Sequence, residues 1–227
     1  MKKSILVVFA ILVAASVGKS QATYNGSPYA LEHHQKREAL FKTEPIVTNK
    51  IVFLGDSITE FGDWRKLLDD PTIINRGIAG DTTLGVLNRL DDVIVRQPSK
   101  LFVKIGINDI SKNVPDDVIS ENIFTIVKRV RVGSPKTKIF VHSILPTNDA
   151  VKAEYPDAFD KNDHVMAVNR QLKKYEKKKG YTFVDLCSQF CDEKGKLVVK
   201  YAENDGLHLN ADGYALWVRI LRKEKYL

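Results

Sequence analysis

Four short stretches of this 227-residue chain carry side chains suited to acyl transfer. The first, Gly55-Asp56-Ser57-Ile58-Thr59-Glu60, sets a hydroxyl just after an apolar run, where a tight turn can lift it to the edge of a sheet. Such a serine is either a nucleophile or the N-cap of the next helix. The second, Asn75-Arg76-Gly77-Ile78-Ala79-Gly80-Asp81-Thr82-Thr83, has glycines that let a ligand approach the backbone closely. Its plainer reading is a turn in which Asp81 or Thr82 caps a helix. A dinucleotide loop is excluded, because the spacing is Gly-x-x-Gly and the stretch follows the second strand rather than the first. The third, Gly106-Ile107-Asn108-Asp109, offers the amide N–H donors of Asn108 to an oxyanion, or merely an Asx-turn. The fourth, Asp205-Gly206-Leu207-His208-Leu209-Asn210, puts a carboxylate three residues before an imidazole. A carboxylate on Nδ1 fixes the tautomer of a histidine base and stabilises the imidazolium formed in reaction. The alternative is a surface turn leading into a helix capped by Asn210. Singly these stretches are ambiguous. Together they supply a hydroxyl, a glycine N–H, an amide and an Asp/His pair, which are the parts acyl transfer requires.

The elements between them explain how they could meet. Apolar runs at Lys50 to Leu54, Thr72 to Asn75, Leu101 to Ile105, Lys138 to His142 and Tyr181 to Val184 read as five short strands. Between them lie helical periodicities: Trp64 to Leu68; Leu84, Leu87, Leu90, Val93; Ile119, Ile123, Ile126, Val130; and Val165, Val168, Leu172, Tyr175, ended by Gly180. A last helix runs from Asn210 through Leu216 and Leu221, and a short one is expected over residues 29–43. Continuous apolar strands alternating with helices predict a parallel sheet covered on both faces, an α/β fold in one domain. In such sheets ligands bind beyond the carboxyl ends of the strands. Three of the four stretches directly follow a strand, and the fourth precedes the last helix.

At these residues the chain resembles the SGNH (GDSL) hydrolase family of esterases and acylhydrolases. Ser57, Gly80, Asn108 and His208 match the four letters in order, and the resemblance spans residues 50–225. The stretch from Asn75 to Thr83 is similar to the branch of small acetylhydrolases related to platelet-activating-factor acetylhydrolase catalytic subunits. The resemblance implies a flavodoxin-like three-layer α/β/α sandwich with a five-stranded parallel sheet over residues 50–227. It implies a catalytic Ser57, Asp205 and His208, an oxyanion hole from Ser57, Gly80 and Asn108, and no metal or organic cofactor. The departures lie outside these blocks, at the Cys187/Cys191 pair and a polar insertion near 146–163. That insertion is rich in Asp, Lys, Asn and Pro rather than apolar like a lipase lid. It favours a short acyl group on a polar carrier such as a carbohydrate. A lysophospholipase or thioesterase, or a catalytically silent glycan-binding module, is the alternative.

Composition sets the outer bounds. The chain is 44% hydrophobic and 28% charged, as ordinary globular proteins are. Lys2 and Lys3, an apolar run from Ile5 to Val17 and the small residues Ser20 and Ala22 have the layout of a secretory signal peptide over residues 1–22. The run is too short to span a bilayer. Residues 23–49 then form a lead-in and helix. An exported product, periplasmic or secreted, is expected. The signal holds three of the 35 basic residues and none of the 28 acidic ones, so the net charge falls from +7 to +4. That charge and the lack of a basic motif interleaved with aromatics disfavour a nucleic-acid partner; the polar insertion and the export signal point instead to a small-molecule or glycan ester. Cys187 and Cys191 are either a disulfide or two buried thiols. His33, His34 and the lysines from 173 to 179 read as solvated helix positions, and His142 as a core or rim residue. Trp64 and Trp217 read as core, and Asp56 and Asp109 as turn-organising residues.

Overall fold

The computed structural model describes residues 28–150 and 155–227. The stretch read as a signal peptide, residues 1–22, lies outside the described residues.

Among the described residues five strands form one sheet: β1 (Ile51–Gly55), β2 (Ile74–Gly77), β3 (Lys100–Lys104), β4 (Lys138–His142) and β5 (Thr182–Val184). Their order is β2-β1-β3-β4-β5, and every pairing is parallel. The chain leaves β1 toward one edge and crosses back to lay down β3 on its other side. The switch point therefore lies between the carboxyl ends of β1 and β3, where flavodoxin-like folds place their ligands. The expected fold class is thus the observed one.

Among the described residues nine α-helices connect and cover the sheet: α1 (Pro28–Thr43), α2 (Ser57–Glu60), α3 (Trp64–Leu68), α4 (Thr83–Val95), α5 (Ile107–Ser111), α6 (Asp116–Gly133), α7 (Asn162–Lys179), α8 (Cys187–Phe190) and α9 (Ala211–Lys223). Alternation along each strand divides the core in two. Val52 and Leu54, Leu101 and Val103, and Ile139 and Val141 point to the face covered by α4, α6 and α7. Phe53, Phe102 and Phe140 point to the opposite face and form a continuous stack, with ring centroids 4.8 Å apart at each step. Trp64 of α3 and Trp217 of α9 close over that stack. Full burial of such side chains contributes about 1.5–3 kcal/mol each, so both faces are committed to packing. Chemistry is left to the loops.

Two local differences from the sequence reading have clear causes. The second strand begins at Ile74 rather than Thr72, because the Thr72 N–H and hydroxyl both donate to Asp70 Oδ1 in a turn (2.8 and 2.7 Å). Helix α5 is a single turn that begins one residue before Asn108, too short to leave a periodic signal. The expected caps do form. Thr82 Oγ1 accepts from Gly85 N, Asn210 Oδ1 accepts from Gly213 N, and Gly180 ends α7 in the left-handed region.

Candidate active site

The position of Ser57 is built by α2. Asp56, not Ser57, caps this helix: Asp56 Oδ1 accepts the Ile58 N–H at 3.0 Å. Ser57 sits at the first helical position with its hydroxyl unused by the backbone. Its Oγ–H points at His208 Nε2, 2.9 Å away and 151 residues further along the chain. On the other side of the imidazole, Nδ1–H donates to Asp205 Oδ2 at 2.6 Å. Asp205 Oδ1 accepts the backbone N–H groups of Leu207 and His208, both at 2.9 Å. One carboxylate thus shapes the turn and orients the ring. Burial would raise the Asp205 pKa, but its bonds from the His208 ring, His208 N–H and Leu207 N–H outweigh that and lower it. The carboxylate stays ionised beside the imidazole. The loop is braced from the insertion after β4, where Asn148 N–H donates to Gly206 O at 2.8 Å.

The second loop is fixed against the first. Gly77 lies where a Cβ would come within 2.2 Å of Glu60 N, so β2 can dock on α2 only through glycine. Asn75 Nδ2 donates to the carbonyls of Thr59, Glu60 and Gly62. Gly80 follows in the left-handed region at φ +78°, which other residues enter at a cost. The Asn108 side chain reaches this loop, its Nδ2 donating to Asp81 O at 2.9 Å. One amide hydrogen is spent on this orienting bond and the second remains for a ligand. The neighbouring Asp109 accepts from Thr83 N (2.9 Å) and Thr83 Oγ1 (2.6 Å). Burial pushes its pKa up to about 6 despite these bonds. The structure therefore joins Ser57, His208 and Asp205 in one hydrogen-bonded line. It also ties Asn108 to the loop that carries Gly80.

Beneath Ser57 lies a polar layer. Lys104 Nζ approaches Asp56 Oδ1 at 3.9 Å, with both residues buried. Burial raises the Asp56 pKa more than Lys104 lowers it, and burial likewise lowers that of Lys104. His142 is a core residue, not a rim one. It stacks on Phe102, meets Trp217 edge-on, and is held neutral, its pKa driven down to about 3 by burial and by Lys104. His33 and His34 are not solvated as the charged helix suggested. His33 Nε2 lies 3.0 Å from Glu60 Oε2, and His34 is buried against Asp81. The cause is α1, which packs its histidines onto the active-site loops rather than exposing them. Cys187 and Cys191 are thiols with sulfurs 3.2 Å apart. Among the described residues no cluster of His, Cys, Asp or Glu has the form of a metal site, and no helix is long and apolar enough to cross a membrane.

Sequence reasoning missed Glu60 and Lys104. Ser57-Ile58-Thr59-Glu60 has the spacing of a capping box, which would have assigned the hydroxyl to the backbone. Because Asp56 takes the capping role, Ser57 is released to His208. Glu60 instead turns toward the second loop and accepts the Ala79 N–H at 2.6 Å.

Residues 53–216 match the model of the family described as GDSL-like lipase/acylhydrolase. The chain belongs to that family. It is also similar to the platelet-activating factor acetylhydrolase IB subunit alpha2 of Rattus norvegicus, with 29% identity across 73% of this chain and 71% of the relative. Among solved structures, a Streptococcus pneumonia protein provisionally described as a platelet activating factor superposes with a TM-score of 0.78 at 28% identity, covering 86% of this chain and 94% of that one. An acetyl-xylooligosaccharide esterase from Geobacillus shares the fold, with a TM-score of 0.60 at 21% identity over 79% and 96% of the two chains. As a GDSL-type acylhydrolase, the protein acts on small-molecule substrates.

Proposed function

We propose that this acylhydrolase cleaves short-chain carboxylic esters, chiefly acetyl esters on small polar alcohols such as carbohydrates, through a Ser57-His208-Asp205 triad. The observation that carries the reading is the line of hydrogen bonds from Ser57 Oγ through His208 to Asp205, at 2.9 and 2.6 Å. Ser57 Oγ attacks the ester carbonyl as His208 Nε2 takes its proton, and the carbonyl π pair moves onto oxygen. The N–H groups of Ser57 and Gly80 and the Asn108 amide hold that oxyanion. Collapse expels the alcohol, which receives the proton from His208, and leaves an acyl-serine. Water then attacks the acyl carbon, His208 takes the water proton, and collapse returns the carboxylic acid and Ser57. Asp205 keeps the imidazole in the tautomer that can accept at Nε2. Every step is supplied by this chain's own residues and water. The mature enzyme is exported on the strength of residues 1–22, and N-terminal sequencing of the secreted protein should begin at Thr23. Turnover of a chromogenic acetate ester, compared with butyrate and longer acyl esters, tests the activity. Ser57→Ala should abolish turnover while the fold is retained. Equal background rates for wild type and variant would leave a glycan-binding module instead. Faster turnover of a lysophospholipid or a thioester would assign the site to those substrates.

A further inference from the structure

A cavity of about 370 Å³ opens beside His208, bordered by Phe61, Tyr155, Glu203 and Tyr214. Its position relates it to one part of an ester. The oxygen that leaves must take its proton from His208 Nε2, so the alcohol attached to that oxygen extends alongside the imidazole. Two rings flank the imidazole. Phe61 lies 5.2 Å from it between centroids, and Tyr155 lies 5.5 Å away. Both are large aromatics left exposed, Phe61 at 55% and Tyr155 at 46%. Phe61 is held one turn beyond the nucleophile, with its N–H donated to Ser57 O at 2.9 Å. That bond keeps the Phe61 backbone close to Ser57.

The wall discriminates among alcohols. Among the described residues no lysine or arginine lines the cavity, and two carboxylates do, those of Glu203 and Asp205. A phosphate-bearing alcohol would meet repulsion there. Asp205 is committed to His208, and the Tyr214 hydroxyl is donated to Ile58 O at 2.8 Å. Glu203, exposed at the rim, offers a carboxylate to a ligand's hydroxyls. The volume lies near the lower end of the roughly 300–1,000 Å³ usual for ligand sites, which suits one ring rather than a long chain.

We propose that this cavity is the leaving-alcohol subsite and that it selects a neutral hydroxylated ring, a carbohydrate. The apolar C–H faces of the ring lie against Phe61 and Tyr155, and its hydroxyls are donated to Glu203. The proposal rests on the ester-hydrolase reading above and deepens it.

The test is the ratio of kcat/KM for a monoacetylated methyl pyranoside to that for ethyl acetate, whose alcohol is too small to reach the rings. Phe61→Ala should lower the ratio about tenfold, as expected from losing a half-buried aromatic face. Glu203→Gln should lower it about threefold, the scale of a weakened hydrogen bond. Phe61→Tyr, which keeps the face, should restore it. Using a ratio separates the subsite from any general effect of Phe61 on His208. An unchanged ratio in both losing variants overturns the proposal. So does a Glu203-dependent preference for acetylcholine over the sugar acetate, which would make the subsite one for cations. Binding of the unacetylated methyl pyranoside, followed by NMR line broadening, separates this proposal from the one it rests on. Phe61-dependent binding without any ester turnover would keep the subsite and remove the hydrolase. Turnover without pyranoside recognition would do the reverse.

Discussion

Glu60 is the residue whose loss should reveal how the two halves of the site are held together. It ends the helix that begins with Ser57, and Oε2 accepts the Ala79 N–H, one residue before Gly80. His33 Nε2 at 3.0 Å and Arg37 Nε at 3.2 Å hold the same carboxylate from α1, which lies outside the residues that match the family. A hydrogen bond to a charged acceptor contributes about 1.5–3 kcal/mol, and a buried N–H left unpaired costs about 1–3 kcal/mol. Outright loss of an oxyanion donor costs about 2.7–4 kcal/mol of transition-state stabilisation. Glu60→Ala leaves Gly80 in place but lets its turn drift, so a fraction of that cost is expected. About 1.4–2 kcal/mol corresponds to a ten- to thirtyfold fall in kcat. KM for a chromogenic acetate should change by less than about threefold, because the oxyanion exists only in the transition state. Glu60→Gln keeps an acceptor for Ala79 and should recover most of the rate. Steady-state kinetics paired with thermal melts provide the assay. If Glu60→Ala melts earlier yet keeps kcat within twofold, Glu60 is a strut for stability alone and the positioning argument is wrong.

Two further outcomes follow from the same geometry. Asn108→Ala removes the amide that donates to Asp81 O and, in the proposed mechanism, to the oxyanion, and should lower kcat about 10²- to 10³-fold with little change in melting temperature; a loss below tenfold would place the oxyanion elsewhere. Asp109 carries a pKa raised by burial from 3.8 to about 6, so between those values the folded chain binds more protons than the unfolded one and its stability falls as pH rises. The full shift corresponds to an upper limit of ~3 kcal/mol, so Asp109→Asn should gain on wild type in urea unfolding at pH 8 relative to pH 4, and an equal difference at both values would refute the assignment.

How much of this was legible in the sequence depended on the range of each interaction. Strands β1, β3 and β4 could be read because burial on both faces demands unbroken apolar runs such as Ile51 to Leu54. The helix caps Thr82 and Asn210 could be read because a cap acts over three residues. The four chemical stretches could be recognised as parts, and the parallel topology said which edge they would share. Beyond that, pattern was misleading wherever a side chain found a distant partner. His33 and His34 look like surface positions in a helix of charges. Their partners Glu60 and Asp81 lie 27 and 47 residues away, and nothing local marks the pairing. The start of β2 moved because Asp70 captured Thr72, a choice that propensity does not register.

Lys104 is the clearest case of a residue that only the fold explains. As the last residue of an apolar strand it reads as a charge reaching solvent, yet it is 1% exposed and faces the α9 side of the sheet. Alternation puts it two residues past Phe102 and level with the end of β1, and the switch point leaves room there for a side chain to turn toward Asp56. An isolated buried ammonium would be expelled or neutralised. Beside Asp56 it lowers the cost of burying the carboxylate that caps α2, the helix that carries Ser57. Such a pair adds little net stability compared with apolar packing, but breaking it from one side leaves a charge stranded. Its value therefore lies in geometry. Asp56 is held against Ile58 N, Ser57 is spared the capping role, and the hydroxyl stands ready for an imidazole delivered from the other end of the chain.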